Sequence, residues 1–185
     1  MKTIIILAAA LLYLNQANSQ TTKGHWLLGG NVNFSLTTYK SEAGQTNTGY
    51  VFQANPNVGY FIVDKFAIGL KAGIGREASK GTGTAIFSKF TDANFGPFVR
   101  YYLLSTENQF NILIEGAYQK GFIKGDSPRK TFKNTFSFAV GPVIYFNSTA
   151  GLEFLIGYSS SKYVGFAGSN GTIQFGLGIQ FHLEK

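Results

Sequence analysis

The chain has 185 residues, no cysteine, 23 glycines and 18 phenylalanines, only 14% charged residues, and a formal net charge of +7. The lack of cysteine excludes a disulfide-stapled scaffold, and the length is enough for one domain. The positive balance suits nucleic acid, a membrane surface or an anionic glycolipid, but no stretch combines dense Lys/Arg with exposed aromatics as a nucleic-acid platform would.

Met1-Lys2-Thr3, the apolar run Ile4–Leu12 and the small-residue site Ala17-Asn18-Ser19 describe a secretory signal peptide over residues 1–19. The apolar run is shorter than the roughly twenty residues a membrane helix needs. The remaining domain, 20–185, reads as strands. His25–Tyr39 sets Trp26, Leu28, Val32, Phe34 and Leu36 against Asn31, Asn33 and Ser35. The same period-two alternation recurs in Tyr50–Val63, Phe66–Gly75, Thr91–Leu104, Phe110–Phe122, Thr135–Phe146, Ala150–Tyr158 and Gly171–Leu183. One face of each run is apolar and aromatic, and the other is mostly Gly, Ala, Ser, Asn and Gln.

Eight runs is an even number, and the connectors alternate in length. Val63-Asp64-Lys65, Ser105–Asn108 and Asn147–Thr149 are short, whereas Lys40–Gly49, Arg76–Phe90, Lys120–Asn134 and Ser159–Gly171 are long and polar. Even strand number, short turns at one end and long loops at the other describe an all-β, eight-stranded antiparallel up-and-down transmembrane β-barrel of the outer membrane. A soluble barrel would turn its large residues inward. Pro56, Pro97 and Pro142 sit on the apolar face inside strand runs, where each removes one ladder hydrogen bond and marks a bulge or a local break.

Four charges interrupt the small face: Lys71, Arg100, Glu115 and Glu153. At ~3.3 Å per residue and a tilt near ~40°, they fall in one layer of the inner-leaflet half. Two bases and two acids at one height are expected to pair across the lumen and plug it, the alternative being a gated proton or ion path. His25 and His182 are expected at the short-turn rim, where two imidazoles without further ligands make a poor metal site. No catalytic, cofactor-binding or metal residue is assigned. A lipid-modifying enzyme would need a His with Ser or Asp at the outer rim, and both histidines belong to the other end. In the long loops, the basic residues Lys124, Arg129, Lys130 and Lys133 are expected to contact lipopolysaccharide phosphates.

Pro56-Asn57-Val58-Gly59-Tyr60-Phe61-Ile62-Val63-Asp64-Lys65-Phe66-Ala67-Ile68-Gly69, Gly96-Pro97-Phe98-Val99-Arg100-Tyr101-Tyr102 and Gly141-Pro142-Val143-Ile144-Tyr145-Phe146 resemble the small outer membrane protein beta-barrel domain family common in Bacteroidetes. The resemblance covers nearly all of 20–185. It implies an OmpX/OmpA-like barrel and no reaction; outer-membrane lipid, lipopolysaccharide and the outer-membrane assembly machinery are the expected partners. The expected role is structural or surface contact, with a narrow porin-like channel as the alternative and an adhesin or lipid-modifying enzyme behind it.

Overall fold

The computed structural model describes the backbone of residues 21–40, 46–81, 87–125, 129–165 and 169–184, and their side chains except at 36–40, 46–50, 77–81 and 87–89. Residues 1–19, read as an export signal, lie outside the described residues. Eight strands follow one another: β1 (Trp26–Lys40), β2 (Thr46–Val63), β3 (Phe66–Gly81), β4 (Phe87–Tyr102), β5 (Phe110–Lys124), β6 (Lys130–Tyr145), β7 (Ala150–Tyr163) and β8 (Asn170–Leu183). Each pairs antiparallel with its neighbours in sequence, and β8 returns to β1 from Trp26↔Leu183 to Phe34↔Phe175, closing the barrel.

The register defines the barrel's shape. The partner row starting at Phe66 runs through Tyr101, Ile114, Val140, Ile156, Phe175, Phe34 and Phe52. It returns to β3 at Arg76, ten residues above its start. A stagger of ~33 Å around eight strands spaced ~4.8 Å apart tilts the strands by ~40°, within the range of closed barrels. At that tilt the interior is just wide enough for side chains to fill it.

The outward face is apolar on every strand. Phe34, Phe52, Ile74, Phe95, Phe136, Phe154 and Phe175 are all exposed, with Ile74 and Phe175 each at 63%. Trp26 and Tyr60 meet edge to face at 5.2 Å near the short-turn end, where Tyr101 is also exposed. Such a continuous apolar surface far exceeds the patches soluble monomers expose.

Two expectations change, and a third, for the prolines, narrows to one of its two alternatives. First, the long polar stretches are largely strand. Arg76–Gly81, Phe87–Phe90, Lys120–Lys124, Lys130–Asn134 and Ser159–Tyr163 extend the ladder beyond the apolar band. The backbone ladder continues there whether or not the side chains alternate. Second, the prolines break the ladder without bulging it. Pairing lapses at Asn55-Pro56 toward β3, at Gly96-Pro97 toward β5 and at Gly141-Pro142 toward β7, and the register resumes unchanged each time. Toward the preceding strand, each proline stays in register, opposite Gly30, Leu70 and Ile112. A Cβ on Gly141 would run into the carbonyl of Phe154, and one on Gly96 into that of Tyr118, so glycine lets the neighbouring strand close in beside each of these prolines. Among the described residues, the one register shift lies at Phe61/Val63, beside the first short turn. Third, the inward face is not uniformly small, as the next section describes.

Candidate functional site: the filled lumen

The strands project three layers into the lumen. Nearest the short turns, Leu27, Phe61, Ala67, Phe98, Tyr102, Leu113, Val143 and Tyr145 form a buried apolar core. His182 joins it, its ring 5.6 Å from Phe61, 5.5 Å from Tyr145 and 6.2 Å from Tyr102. The alternation pointed to a lumen lined mainly by small and polar groups. That description fails here, because Leu27, Phe61, Phe98, Leu113, Val143 and Tyr145 share the inward parity yet are large. Their signal was available: each lies within five residues of a short-turn end, where a plug must sit.

The N-terminal segment seals this end further. The Lys65 N–H donates to the Thr21 carbonyl at 2.7 Å, and the Lys23 N–H donates to Asp64 Oδ1 at 2.8 Å. The Gly24 N–H donates to the Phe61 carbonyl at 2.9 Å. Lys65 takes the left-handed conformation at φ 66° that this tight turn requires. His25 precedes β1 and accepts the Phe61 N–H through its carbonyl at 3.0 Å.

Above the aromatic core lies a charged layer made of Lys71, Arg100, Glu115 and Glu153, all buried. Arg100 and Glu115 are cross-strand partners on β4 and β5. The guanidinium donates from Nη2 and Nε to Glu115 Oε2 at 2.6 and 3.1 Å, and from Nη1 to Glu153 Oε1 at 2.7 Å. Lys71 Nζ bonds the other Glu115 oxygen. Gln180 Nε2 reaches Glu153 Oε2 at 3.4 Å, and Arg100 Nη1 reaches the Tyr102 hydroxyl at 3.3 Å. The Phe98 ring underlies both cations, 5.6 Å from Lys71 Nζ and 5.7 Å from the Arg100 guanidinium carbon. Two positive and two negative groups cancel. Buried charges persist only when paired and hydrogen-bonded in this way. A Cβ on Gly178 would come within 3.2 Å of Glu153 Oε2, so β8 keeps glycine where the carboxylate sits.

The third layer, toward the long loops, is polar. Asn55 Nδ2 donates to Asn31 Oδ1 at 2.9 Å, Gln119 Nε2 to Asn94 Oδ1 at 2.7 Å, and Asn33 Nδ2 to Gln174 Oε1 at 2.7 Å. Between these walls runs a cavity of about 120 Å³, from Lys71 and Glu115 up to Tyr163 and Asn170. It has room for about four waters at ~30 Å³ each.

Lys133 belongs to this layer, which corrects its assignment to an outer-loop glycolipid contact. Its ammonium, 7% exposed, pairs with Asp92 of β4 inside the barrel. Lys133 shares the inward parity of Thr135 and Ser137 on β6, because that strand begins at Lys130 rather than at Thr135. Lys124, Arg129 and Lys130 are exposed. Among the described residues, no group of three or more His, Asp or Glu is arranged to hold a metal ion.

Comparison with solved structures adds the relatives of this architecture. The chain superposes on Neisserial surface protein A with a TM-score of 0.56 at 11% identity, covering 86% of this chain and 97% of that one. It superposes on the outer membrane protein OprG from Pseudomonas aeruginosa with a TM-score of 0.59 at 12% identity, covering 91% and 100%. The N-terminal β-barrel domain of Pseudomonas aeruginosa OprF gives 0.52 at 12%, covering 87% and 98%. The fold is that of the small outer-membrane barrels. At these identities the likeness is one of fold alone. No family model matches the chain, and no curated protein matches it in sequence.

Proposed function

We propose that this chain is an integral outer-membrane barrel with a closed lumen, serving envelope structure or surface contact and catalysing no reaction. Residues 1–19 act as its export signal, and its sequence motifs suit the small outer membrane protein beta-barrel domain family. The observation that carries the reading is the stacking of two seals, the aromatic core around Phe61, Tyr102, Tyr145 and His182 and the ion-paired layer centred on Arg100. Phe61, Tyr102, Tyr145, Arg100 and Glu153 are each at most 1% exposed, which supports a lower half closed to water. The apolar outer face supports a lipid environment, since water would not tolerate it.

The cavity above Lys71 and Glu115 favours one second reading, a narrow channel whose lower half must open. Planar-bilayer recordings on the purified, refolded chain separate the two. The closed barrel gives no stable unit conductance, and steady steps of open current would overturn it. A heat-modifiable shift on a denaturing gel, with a compact form before boiling, tests the membrane barrel itself.

A further inference from the structure

Among the described residues, no outward-facing strand position carries Asp or Glu, whereas Arg76, Lys120, Lys124, Lys130 and Lys162 all point outward at the long-loop end. Their heights are not scattered. Arg76 and Lys120 each stand ten residues above the short-turn end of their strand, and Lys162 twelve. At ~2.5 Å of axial rise per tilted residue these positions are ~25–30 Å from that end, the height of an outer-membrane apolar band. Lys124 and Lys130 lie about four residues higher. The short-turn end shows no such bias, with Lys23 and Lys65 beside Asp64, Glu107 and Glu184.

The register concentrates this charge on β5–β7. Lys120 and Lys162 flank Asn134 in one row, two strand spacings or ~10 Å apart. Lys124 and Lys130 stand directly opposite each other, an arrangement that like charges oppose unless an anion lies between them. Between the two rows, Phe122 faces Phe132, and Lys130 Nζ rests 4.3 Å from the Phe122 ring centroid. Four ammonium groups thus bracket an aromatic pair on the lipid side of the barrel. The inward acids Asp92, Glu115 and Glu153 are committed to lumen partners and do not offset them.

We infer that the β5–β7 face is a docking site for the phosphate groups of a membrane glycolipid in the outward leaflet, with Lys120, Lys124, Lys130 and Lys162 as ligands and Phe122 and Phe132 against the lipid body. Phosphate supplies the multiple negative charge that four lysines require, and the apolar band directly below accepts the acyl chains. This inference rests on the membrane reading above and refines it.

The test uses the full chain, refolded in uncharged phosphatidylcholine vesicles, with lipopolysaccharide and enzymatically dephosphorylated lipopolysaccharide as probes. Binding of the phosphorylated probe is expected to fall about tenfold or more in Lys120→Gln/Lys124→Gln/Lys130→Gln/Lys162→Gln, and to stay unchanged in Lys23→Gln/Lys65→Gln at the opposite rim. The unmodified chain should hold the dephosphorylated probe correspondingly less. Equal retention by the quadruple variant, or equal retention of the dephosphorylated probe, overturns the inference. So does complete displacement of the lipid by millimolar inorganic phosphate, which marks a free-anion site. Failure of the unmodified chain to insert into vesicles overturns the membrane reading instead, and gel mobility before boiling reports that separately for every variant.

Discussion

Arg100 and Glu115 stand opposite each other on neighbouring strands and share two hydrogen bonds, from Nη2 and Nε to one carboxylate oxygen at 2.6 and 3.1 Å. The remaining Arg100 nitrogen holds Glu153 of β7, across the lumen. One side chain therefore ties three strands together at the level where the barrel changes from apolar filling to polar filling.

Arg100→Ala leaves Glu153 and part of Glu115 buried without a cation. It is expected to lower stability by about 3–5 kcal/mol, the usual consequence of removing one member of a buried ion pair. Arg100→Lys keeps the charge but not the planar fork, so its loss should be smaller. Urea unfolding in vesicles measures both. A change below about 0.5 kcal/mol for Arg100→Ala would mean that the layer contributes nothing to stability.

Two seals in series predict a non-additive conductance. Phe61→Ala/Tyr145→Ala opens the aromatic core but leaves the ion pairs, and Arg100→Ala loosens the ion pairs but leaves the core. Neither should conduct in a planar bilayer, whereas the triple variant should show unit current. Current through Phe61→Ala/Tyr145→Ala alone would show that the charged layer is not a barrier.

The Gly-Pro pair in β6 separates two kinds of backbone constraint. Gly141→Ala drives a Cβ into the Phe154 carbonyl of the adjacent strand and is expected to destabilise by about 1–3 kcal/mol. Pro142→Ala only restores an N–H where the ladder already lapses, and should stay within about 1 kcal/mol. Equilibrium unfolding of the two variants side by side decides. Equal losses would place the constraint in the proline.

Lys133 and Lys124 differ in direction, and their truncations should differ too. Lys133→Ala removes the partner of Asp92 inside the barrel and is expected to lower stability by about 1–3 kcal/mol. Lys124→Ala removes one of two facing ammonium groups on the exposed side and should fall within about 0.5 kcal/mol of the parent in uncharged vesicles. Thermal or urea unfolding provides the comparison, and a silent Lys133→Ala would contradict the inward pairing.

Much of this architecture is legible along the chain because a strand's side chains repeat every two residues. Once Ile74, Phe95, Tyr118 and Phe154 mark the outward face of β3, β4, β5 and β7, the inward parity of Lys71, Arg100, Glu115 and Glu153 follows. The short connectors mark one end for the same local reason, as Asp64-Lys65 needs only a tight turn. Legibility fails where the pattern loses contrast. Above the apolar band polar and charged residues fall on both faces, so the extra rungs Lys130–Asn134 read as loop and Lys133 as an outward contact. Near the short turns both faces are apolar, so side-chain contrast does not mark Leu113 and Val143 as lumen filling, and only their nearness to the turns does.

Local backbone geometry, acting one strand at a time, is enough to give the eight strands, their order, the lipid-type face and the parity of the charges within the apolar band. Which charges meet is fixed by the closed barrel instead. A stagger of ten residues around the closed barrel sets the relative heights of distant strands, and so brings Arg100 to Glu153 and Lys133 to Asp92. That stagger is a property of closure, which no single strand contains.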